Sequence, residues 1–390
     1  MSSILATDIA IVGGGIAGLW LNARLRQQGF STLLLEQQQL GGAQTVKSQG
    51  IIHGGTKYAL HGTLTGSSEA IAQMPARWQA ALSGTGELDL RGVRLLSDAH
   101  YLWSPGSVAG NLTSFFASKA MRGRVDAVKG KDLPPALQDK AFKGRVYRLA
   151  ELVLDVPSLV ARLAGLAGDS LLHAPSLRPV MEDGQLAGLD SGAFQIRARR
   201  YVFCAGEGTA ALLQECSLAQ PRQQVRPLHM VLVKGPQLKP LYAHCLGAGT
   251  KPRITITTHP AADGQWVWYL GGNLAEADGV ARDAAAQTAF ARQELRELLP
   301  WLAQDVLDWR TLRINRAEPA QGSLVRPDNA FLHTDDKLMV AWPTKLALAP
   351  DLADRVLREL DNQGMQPQTR ATLPPLPQPT VAPAPWQELF

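Results

Sequence analysis

Residues 8–12 form a short apolar run rich in β-branched side chains, the pattern of a strand buried on both faces. Residues 16–28 then place Ile16, Leu19, Ala23 and Leu25 at a helical period closed by Gly29, and residues 32–35 are a second apolar run ending at Glu36. Together they predict one βαβ unit, and hence a parallel sheet covered by helices. Residues 41–66 are punctuated by glycines and read as a long irregular loop with one or two short strands; residues 67–82 read as a helix. Short strands follow over 88–102, then a helix near 111–122. The polar, basic stretch 123–143, with Pro134 and Pro135, reads as a surface connection. A helix is predicted over 157–166, with Asp155 close to its start, and a strand over 199–205 that stops at glycines. Strands dominate 224–274, including 230–234, 254–258 and 266–270. The stretch 281–302 reads as one amphipathic helix, 337–341 as a last strand and 352–360 as a last helix. Beyond Gly364 the tail is rich in proline (Pro374, Pro375, Pro377, Pro379, Pro383, Pro385) and reads as extended or wrapped over the surface. No internal repeat is evident.

The α/β pattern thus occurs three times, with strand-rich stretches between. The fold class is α/β (α+β overall), one nucleotide-binding domain assembled from three pieces and carrying a β-rich domain inserted in two parts. Composition agrees: 390 residues suggest two domains, and 45% hydrophobic with 19% charged residues is ordinary for a globular protein with a large core. No run approaches the roughly 18 apolar residues of a spanning helix. Residues 1–7 carry no basic region and lead straight into a strand, which argues against a secretory signal. Cys204, Cys216 and Cys245 lack metal spacing and cannot build a disulfide framework, so a reducing, cytoplasmic compartment is the simplest reading. The net charge of +5 is spread thinly; it favours small anions or an anionic surface and makes a poor case for nucleic acid.

The chemistry begins at Gly13-Gly14-Gly15-Ile16-Ala17-Gly18, a G-x-G-x-x-G between the first predicted strand and helix. Gly13 suits a tight turn, Gly15 a backbone approaching a pyrophosphate and Gly18 close packing of helix on strand. The helix N-terminus, at Ile16 and Ala17, offers N–H groups and partial positive charge. Glu36, 18 residues past Gly18 at the end of the second strand, is placed with Gln37 beside a ribose. Its charge disfavours a 2′-phosphate, and no arginine follows it, so NADP is not expected. The alternative is a glycine turn beside a solvated glutamate.

Ser48-Gln49-Gly50-Ile51-Ile52-His53-Gly54-Gly55-Thr56-Lys57-Tyr58 resembles the D-amino acid oxidase superfamily of FAD enzymes, especially the FAD-dependent glycerol-3-phosphate dehydrogenases and 2-hydroxyglutarate oxidases. The likeness continues at Val202-Phe203-Cys204-Ala205-Gly206 and at Met339 to Pro350, covering about half the chain in three ordered pieces. It implies a Rossmann-like FAD-binding domain with a β-rich substrate domain inserted: 1–85, 149–220 and 326–365 for the first, 86–148 and 221–325 for the second, and a tail over 366–390. It also implies FAD with its adenosine at Gly13 to Glu36. The ring system would lie near Ser48, Gly50, Ile52, His53 and Gly54, near Ala205 and Gly206, and near Pro343, Thr344, Lys345 and Leu346. A loop entering a helix at Lys345 would bring N–H groups, and its ammonium, to the flavin edge that gains negative charge on reduction. The Gly54-Gly55 pair resembles relatives that hold FAD non-covalently, rather than through a histidine such as His53. Gly206-Glu207-Gly208 reads as a turn against FAD, not a second nucleotide site, and no C-x-x-C suggests a disulfide reductase.

Relatives of this kind oxidise a C–H bearing an amine or hydroxyl, passing hydride to flavin N5. That implies a cation for a small anionic substrate and a base, with oxygen or a quinone as electron acceptor. Arg313, Arg316 and Arg326 are candidate cations, Arg316 foremost; Glu318 could pair with it on the surface. In the insert, His229, Tyr242, His244, Arg253, His259, Trp266, Trp268 and Tyr269 are candidates for a roof over the flavin, with His244 or His259 as base and His53 beside the ring. Alternation would set Trp266 and Trp268 on one face and Tyr269 on the other. The histidines lack tight ligand spacing, so no metal is expected. Phe115-Phe116 and the proline-rich tail could serve partner docking or peripheral contact with the inner membrane face, local packing being the simpler use. Two further readings stay open, a FAD-binding electron-transfer subunit of a complex and a flavin hydroxylase. Substrate identity and oligomeric state are not legible.

Overall fold

The computed structural model describes residues 3–55, 66–105, 125–247, 251–320, 329–368 and 373–390. The expected helix at 111–122 with Phe115 and Phe116, the motif residues Thr56, Lys57 and Tyr58, and Arg326 lie outside these residues.

Five parallel strands form the centre of the first sheet, in the order Leu171–His173, Thr32–Glu36, Ser3–Val12, Phe194–Phe203 and Leu338–Trp342. An antiparallel strand, Phe331–Asp335, closes one edge, and a hairpin, Arg178–Glu182 with Gln185–Asp190, pairs with the first half of Phe194–Phe203. The apolar runs are continuous because both faces are covered. Ile9, Ile11, Leu34, Val202 and Met339 pack under the helices Ile16–Gln27, Val156–Ala167 and Ala349–Asn362. Ala10, Val12, Leu33, Phe203 and Val340 pack on the opposite face with Leu212 and Leu213 of the helix Thr209–Glu215.

The second sheet has eight strands, ordered Asp308–Pro319, Gln223–Gly235, Trp266–Gly271, Pro252–Pro260, Ala243–Leu246, His100–Ser104, Arg145–Leu149 and Val125–Val128. All neighbours are antiparallel except Ala243–Leu246 beside His100–Ser104. The helix Ala284–Leu298 buries Ala291, Leu295 and Leu298 in this sheet's core. A small third sheet joins Ile51–Ile52, Leu152–Leu154 and Leu95–Ser97.

Three expectations need correction. The stretch 281–302 is not one helix: Ala277–Ala281 ends before Arg282, and Asp283 starts Ala284–Leu298 afresh by accepting a hydrogen bond from Ala286 N. The connection read at 123–143 contains the strand Val125–Val128, paired with Arg145–Leu149, and buries Ala136 and Leu137. The proline-rich tail is extended but not superficial. Leu40 N and Ala382 N tie it to the first sheet's side through Thr380 O and Leu40 O, and Pro377 O accepts from His173 N. It then turns into the helix Pro385–Glu388, whose Trp386 is buried in the core of the second sheet.

Candidate active site

The carboxyl ends of four parallel strands open on one groove: Val12 and Gly13, Leu35 and Glu36, Cys204 and Ala205, Trp342 and Pro343. The neighbours of Ser3–Val12 are Thr32–Glu36 on one side and Phe194–Phe203 on the other, and such a switch of strand order is where open parallel sheets bind ligands. The groove has a volume of about 370 Å³, within the roughly 300–1,000 Å³ of small-molecule sites. Gly13 turns the chain with φ +109, and a Cβ there would lie 2.6 Å from Cys204 O. A Cβ on Gly18 would collide with Gly13 O, so Gly18 lets the helix sit against the turn without itself lining the groove. The helix Ile16–Gln27 starts at Gly15, which has no side chain to cap it; Thr45 Oγ1 takes Ile16 N, and the other first-turn donors are left for an anion. Glu36 is held by Gly14 N at 2.7 Å and Gln38 N at 2.9 Å, keeping its carboxylate at the strand end with acceptor capacity to spare. A glycine cradle, a helix start with donors to spare and an acid at the second strand end are the set a dinucleotide requires, and the residues fit FAD.

Of the expected contacts, Gly13, Gly15, Ile16, Ala17, Glu36, Gln37, Ser48, Ala205, Gly206, Pro343, Thr344, Lys345 and Leu346 line this groove. Gln38, Gln39 and residues 41–45 also line it, as do Asn315 and Ala317, none of which was singled out as a contact; Glu207 and Gly208, of the turn expected against FAD, line it too. Adjacency to Glu36 was the available signal for 38–45, and Thr45 Oγ1 accepts from Ile16 N at 3.1 Å. Lys345 lies just ahead of the 3-10 turn Leu346–Leu348 and is 7% exposed. Thr344 has φ +60, a left-handed backbone rare for a β-branched residue, and its Oγ1 donates to Asn329 O at 3.0 Å.

Gly50 has a different reason from the one expected. Its φ is +71 and a Cβ would collide with Leu154 O, so it serves the pairing of Ile51–Ile52 with Leu152–Leu154. A Cβ on Gly54 would meet Pro75 at 3.0 Å. Gly50, Ile52, His53 and Gly54 are absent from the groove lining. They stand one step away, because Ile51–Ile52 packs on the Leu346–Leu348 turn.

There the structure brings histidines together. Ile52 pairs with Leu152, so the next residues out, His53 and Glu151, face each other. Glu151 Oε2 lies 3.3 Å from His53 Nδ1, and Glu151 Oε1 accepts from Gly54 N at 2.9 Å. Burial would raise the Glu151 carboxyl, but the His53 hydrogen bond, the charges of His53 and His100, and the Gly54 N–H hold it at about 2. The His244 ring stacks parallel to His53 at 5.8 Å, and His100 lies 4.3 Å from His244. Thr255 Oγ1 fixes His244 Nδ1 at 2.8 Å. His53, Glu151 and His244 each place a nitrogen or oxygen within 4.8 Å of the others. Glu151 and His100 were not anticipated; nothing in their local sequence marks them, and strand pairing alone assembles the group.

The second sheet roofs this region. Tyr269 donates to Lys47 O at 3.0 Å, while Gln49 Nε2 bonds Tyr269 O at 2.9 Å and Thr255 O at 3.3 Å. Trp268 points the other way, its indole donating to Lys239 O, as alternation requires. His259 is the correction here: it stacks on Trp386 at 3.6 Å, its Nε2 meets Thr257 Oγ1 at 3.0 Å, and burial lowers its pKa to about 3. A sealed imidazole that resists protonation so strongly is a poor base. His229 bonds Gly279 O, and Arg253 pairs with Glu294 and Glu297, so both have structural employment. Leu232 pairs with both Tyr269 and Arg310, so unbroken alternation puts Arg316 on the Tyr269 face. Three strands separate Arg316 from His244, and it stands outside the histidine cluster, 4.0 Å from Glu276. Glu318 is buried rather than on the surface, and pairs with Arg226 and Gln224. The three cysteines are free and buried; burial pushes Cys204 and Cys245 up to about 12 and Cys216 to about 11. No helix among the described residues is long and apolar enough to cross a membrane.

Residues 8–337 match the family model for DAO, FAD dependent oxidoreductase. Over its full length the chain is 64% identical to all of a Pseudomonas aeruginosa protein named "Probable FAD-dependent oxidoreductase PA4991". The crystal structure of PA4991 superposes with a TM-score of 0.89 over 99% of each chain, at 59% identity. Glycine oxidase from Geobacillus kaustophilus shares the fold at 17% identity, TM-score 0.67, over 95% of this chain and 97% of that one. Glycerol-3-phosphate dehydrogenase from Bacillus halodurans does so at 14% identity, TM-score 0.60, over 95% and 67%.

Proposed function

The chain belongs to the DAO family of FAD-dependent oxidoreductases, and from that premise we propose that it dehydrogenates a small anionic hydroxy acid, amino acid or polyol phosphate. The observation that carries this reading is the histidine–glutamate group under the roof sheet, one short strand from the cofactor groove. FAD, when bound, supplies the acceptor for a hydride at N5. In this reading Gly13, Gly15, Ile16 and Ala17 hold its pyrophosphate, Glu36 and Gln37 its ribose, and Pro343 to Leu346 its ring system, with Lys345 as the nearby positive charge. Ser48, Ala205 and Gly206 complete the groove walls. His53 receives the substrate proton, His244 stacks behind it, and Arg316 holds the carboxylate or phosphate. With His53 Nδ1 engaged by Glu151, FAD is held non-covalently. The electron acceptor is oxygen or a quinone, and the setting is cytoplasmic, with peripheral membrane contact if the acceptor is a quinone.

Anaerobic mixing with glycerol-3-phosphate, 2-hydroxyglutarate, glycine, sarcosine and D-amino acids is expected to bleach the flavin band with at least one. If none does, the substrate class is wrong. Arg316→Ala is expected to raise the substrate concentration needed by about tenfold to a hundredfold, as for a lost charged hydrogen bond of roughly 1.5–3 kcal/mol, while leaving flavin content unchanged. Equal loss of both would remove Arg316 from the substrate side.

A further inference from the structure

We propose that Glu151 is the positioning residue of a proton-accepting site centred on His53, and that this site selects a hydroxyl over an amine on the carbon oxidised. The inference rests on the dehydrogenase reading above and deepens it. Glu151 is a buried carboxylate, its side chain 4% exposed, while that of the His53 it faces is 18% exposed. A buried charge persists only where it is paired and hydrogen-bonded. Both oxygens are engaged, one by Gly54 N and the other at His53 Nδ1. An acceptor-only carboxylate at Nδ1 keeps the imidazole proton on that nitrogen, so Nε2 is the atom with a lone pair to offer. Strand register fixes the partner: Ile51 with Val153 and Ile52 with Leu152 leave His53 and Glu151 no freedom to slip apart. Among the described residues, His244 is stacked on the face of His53 and His100 lies beyond it. Among these groups Glu151 carries the only negative charge.

Such a site matters differently to two classes of substrate. Oxidising an alcohol breaks the C–H bond, whose electron pair leaves with the hydrogen as hydride to the flavin, and the O–H bond, whose proton must go to an acceptor as C=O forms. A hydroxyl resembles water, with a pKa of about 15.7, and cannot shed that proton beforehand. An amine titrates at roughly 8–10 and can enter already as the free base, with no need of a partnered imidazole. The Glu151–His53 pair is therefore the equipment of an alcohol dehydrogenation, and His53 Nε2 is where the proton goes.

The test uses the oxidised, FAD-loaded protein, wild type beside Glu151→Gln and Glu151→Asp. Imidazole 15N NMR is expected to show His53 protonated on Nδ1 in the wild type, mixed tautomers in E151Q, and the wild-type pattern again in E151D. With a hydroxy substrate, E151Q is expected to lower the limiting rate of flavin bleaching by roughly 10²-fold or more, within the range for a disturbed general base, with KM changed less than about threefold; E151D recovers part of the rate. Bleaching by an amine as fast as by any hydroxy substrate, or an amine rate that falls in E151Q as steeply as the hydroxy rate, overturns the selectivity. A wild-type His53 without its Nδ1 proton, or a stoichiometric divalent ion in the purified protein, overturns the positioning role. If neither substrate class bleaches the flavin, the dehydrogenase reading fails, whereas the NMR spectra still decide what Glu151 does to His53.

Discussion

Asp8 shows how much a single buried carboxylate can organise. Its oxygens accept from Ser31 N and Oγ, both at 3.0 Å, from Arg199 Nη1 at 3.0 Å and from Gln368 N at 3.4 Å. These bonds tie the first strand to its neighbours on both sides and to the start of the tail. Burial pushes the Asp8 pKa up, but the Ser31 and Arg199 hydrogen bonds outweigh it and leave it below 3.8. A carboxyl with a lowered native pKa stabilises above its unfolded pKa, and that contribution is lost as pH falls through the native value. Asp8→Asn is expected to cost about 1–3 kcal/mol near pH 7, read by urea denaturation, and nothing once the pH is well below the native pKa of Asp8. His259 acts on a different window. Its native pKa of about 3 lies below the ordinary 6.5, so the unfolded chain takes the proton first and stability declines as pH falls from about 6.5 toward 3. His259→Phe keeps the stacking on Trp386 and is expected to flatten that decline; an unchanged slope would show that another group sets it.

At the scale of elements, helix starts offer the cleanest comparison. Asp155 caps Val156–Ala167 through Ser158 N at 3.1 Å, and the same carboxylate takes Arg94 Nη2 at 2.8 Å. Asp283 caps Ala284–Leu298 through Ala286 N at 2.8 Å, in the open. Asp283→Ala is expected to cost about 1 kcal/mol, the usual value of a cap, and Asp155→Ala up to about 2 kcal/mol because its cap is buried and also holds an ion pair. Equal losses, measured by denaturant titration, would show that the buried pair adds nothing. The caps also explain which elements were legible. Asp155 sits beside its helix in sequence, and the G-x-G-x-x-G with Glu36 lies within one βαβ unit, so local periodicity suffices. The break at Arg282–Asp283 was missed because the apolar period runs through it, while the backbone restarts on a new cap. Glu151 could not have been found: its meaning depends on a strand pairing with His53, 98 residues away in sequence.

For the whole molecule, the tail changes how the two large sheets relate. Composition marked it as a wrapper, because proline blocks regular structure and says nothing about where a tryptophan will be buried. It pairs with Leu40 beside the cofactor groove, and ends with Trp386 against His259 and Tyr269 under the roof. The loop 47–49 bonds the same roof residue, Tyr269, at its hydroxyl and its carbonyl. Trp386→Ala is expected to cost roughly 3–5 kcal/mol, as for an emptied aromatic site, and to lower flavin retention although the residue is remote from the groove lining. Normal retention in a destabilised variant would confine the effect to the roof.

This seam gives the buried thiols a use as clocks. Cys204 belongs to the first sheet's core beneath the cofactor cradle, and Cys245 to the core of the roof. With FAD filling the groove that Cys204 lines, neither thiol is expected to meet a reagent until its own sheet opens. In mild denaturant the intact protein is expected to label both at one rate, because the tail makes the two openings a single event. In Trp386→Ala, peptide mapping is expected to show Cys245 reacting first, so the order of labelling records which half of the molecule comes apart alone.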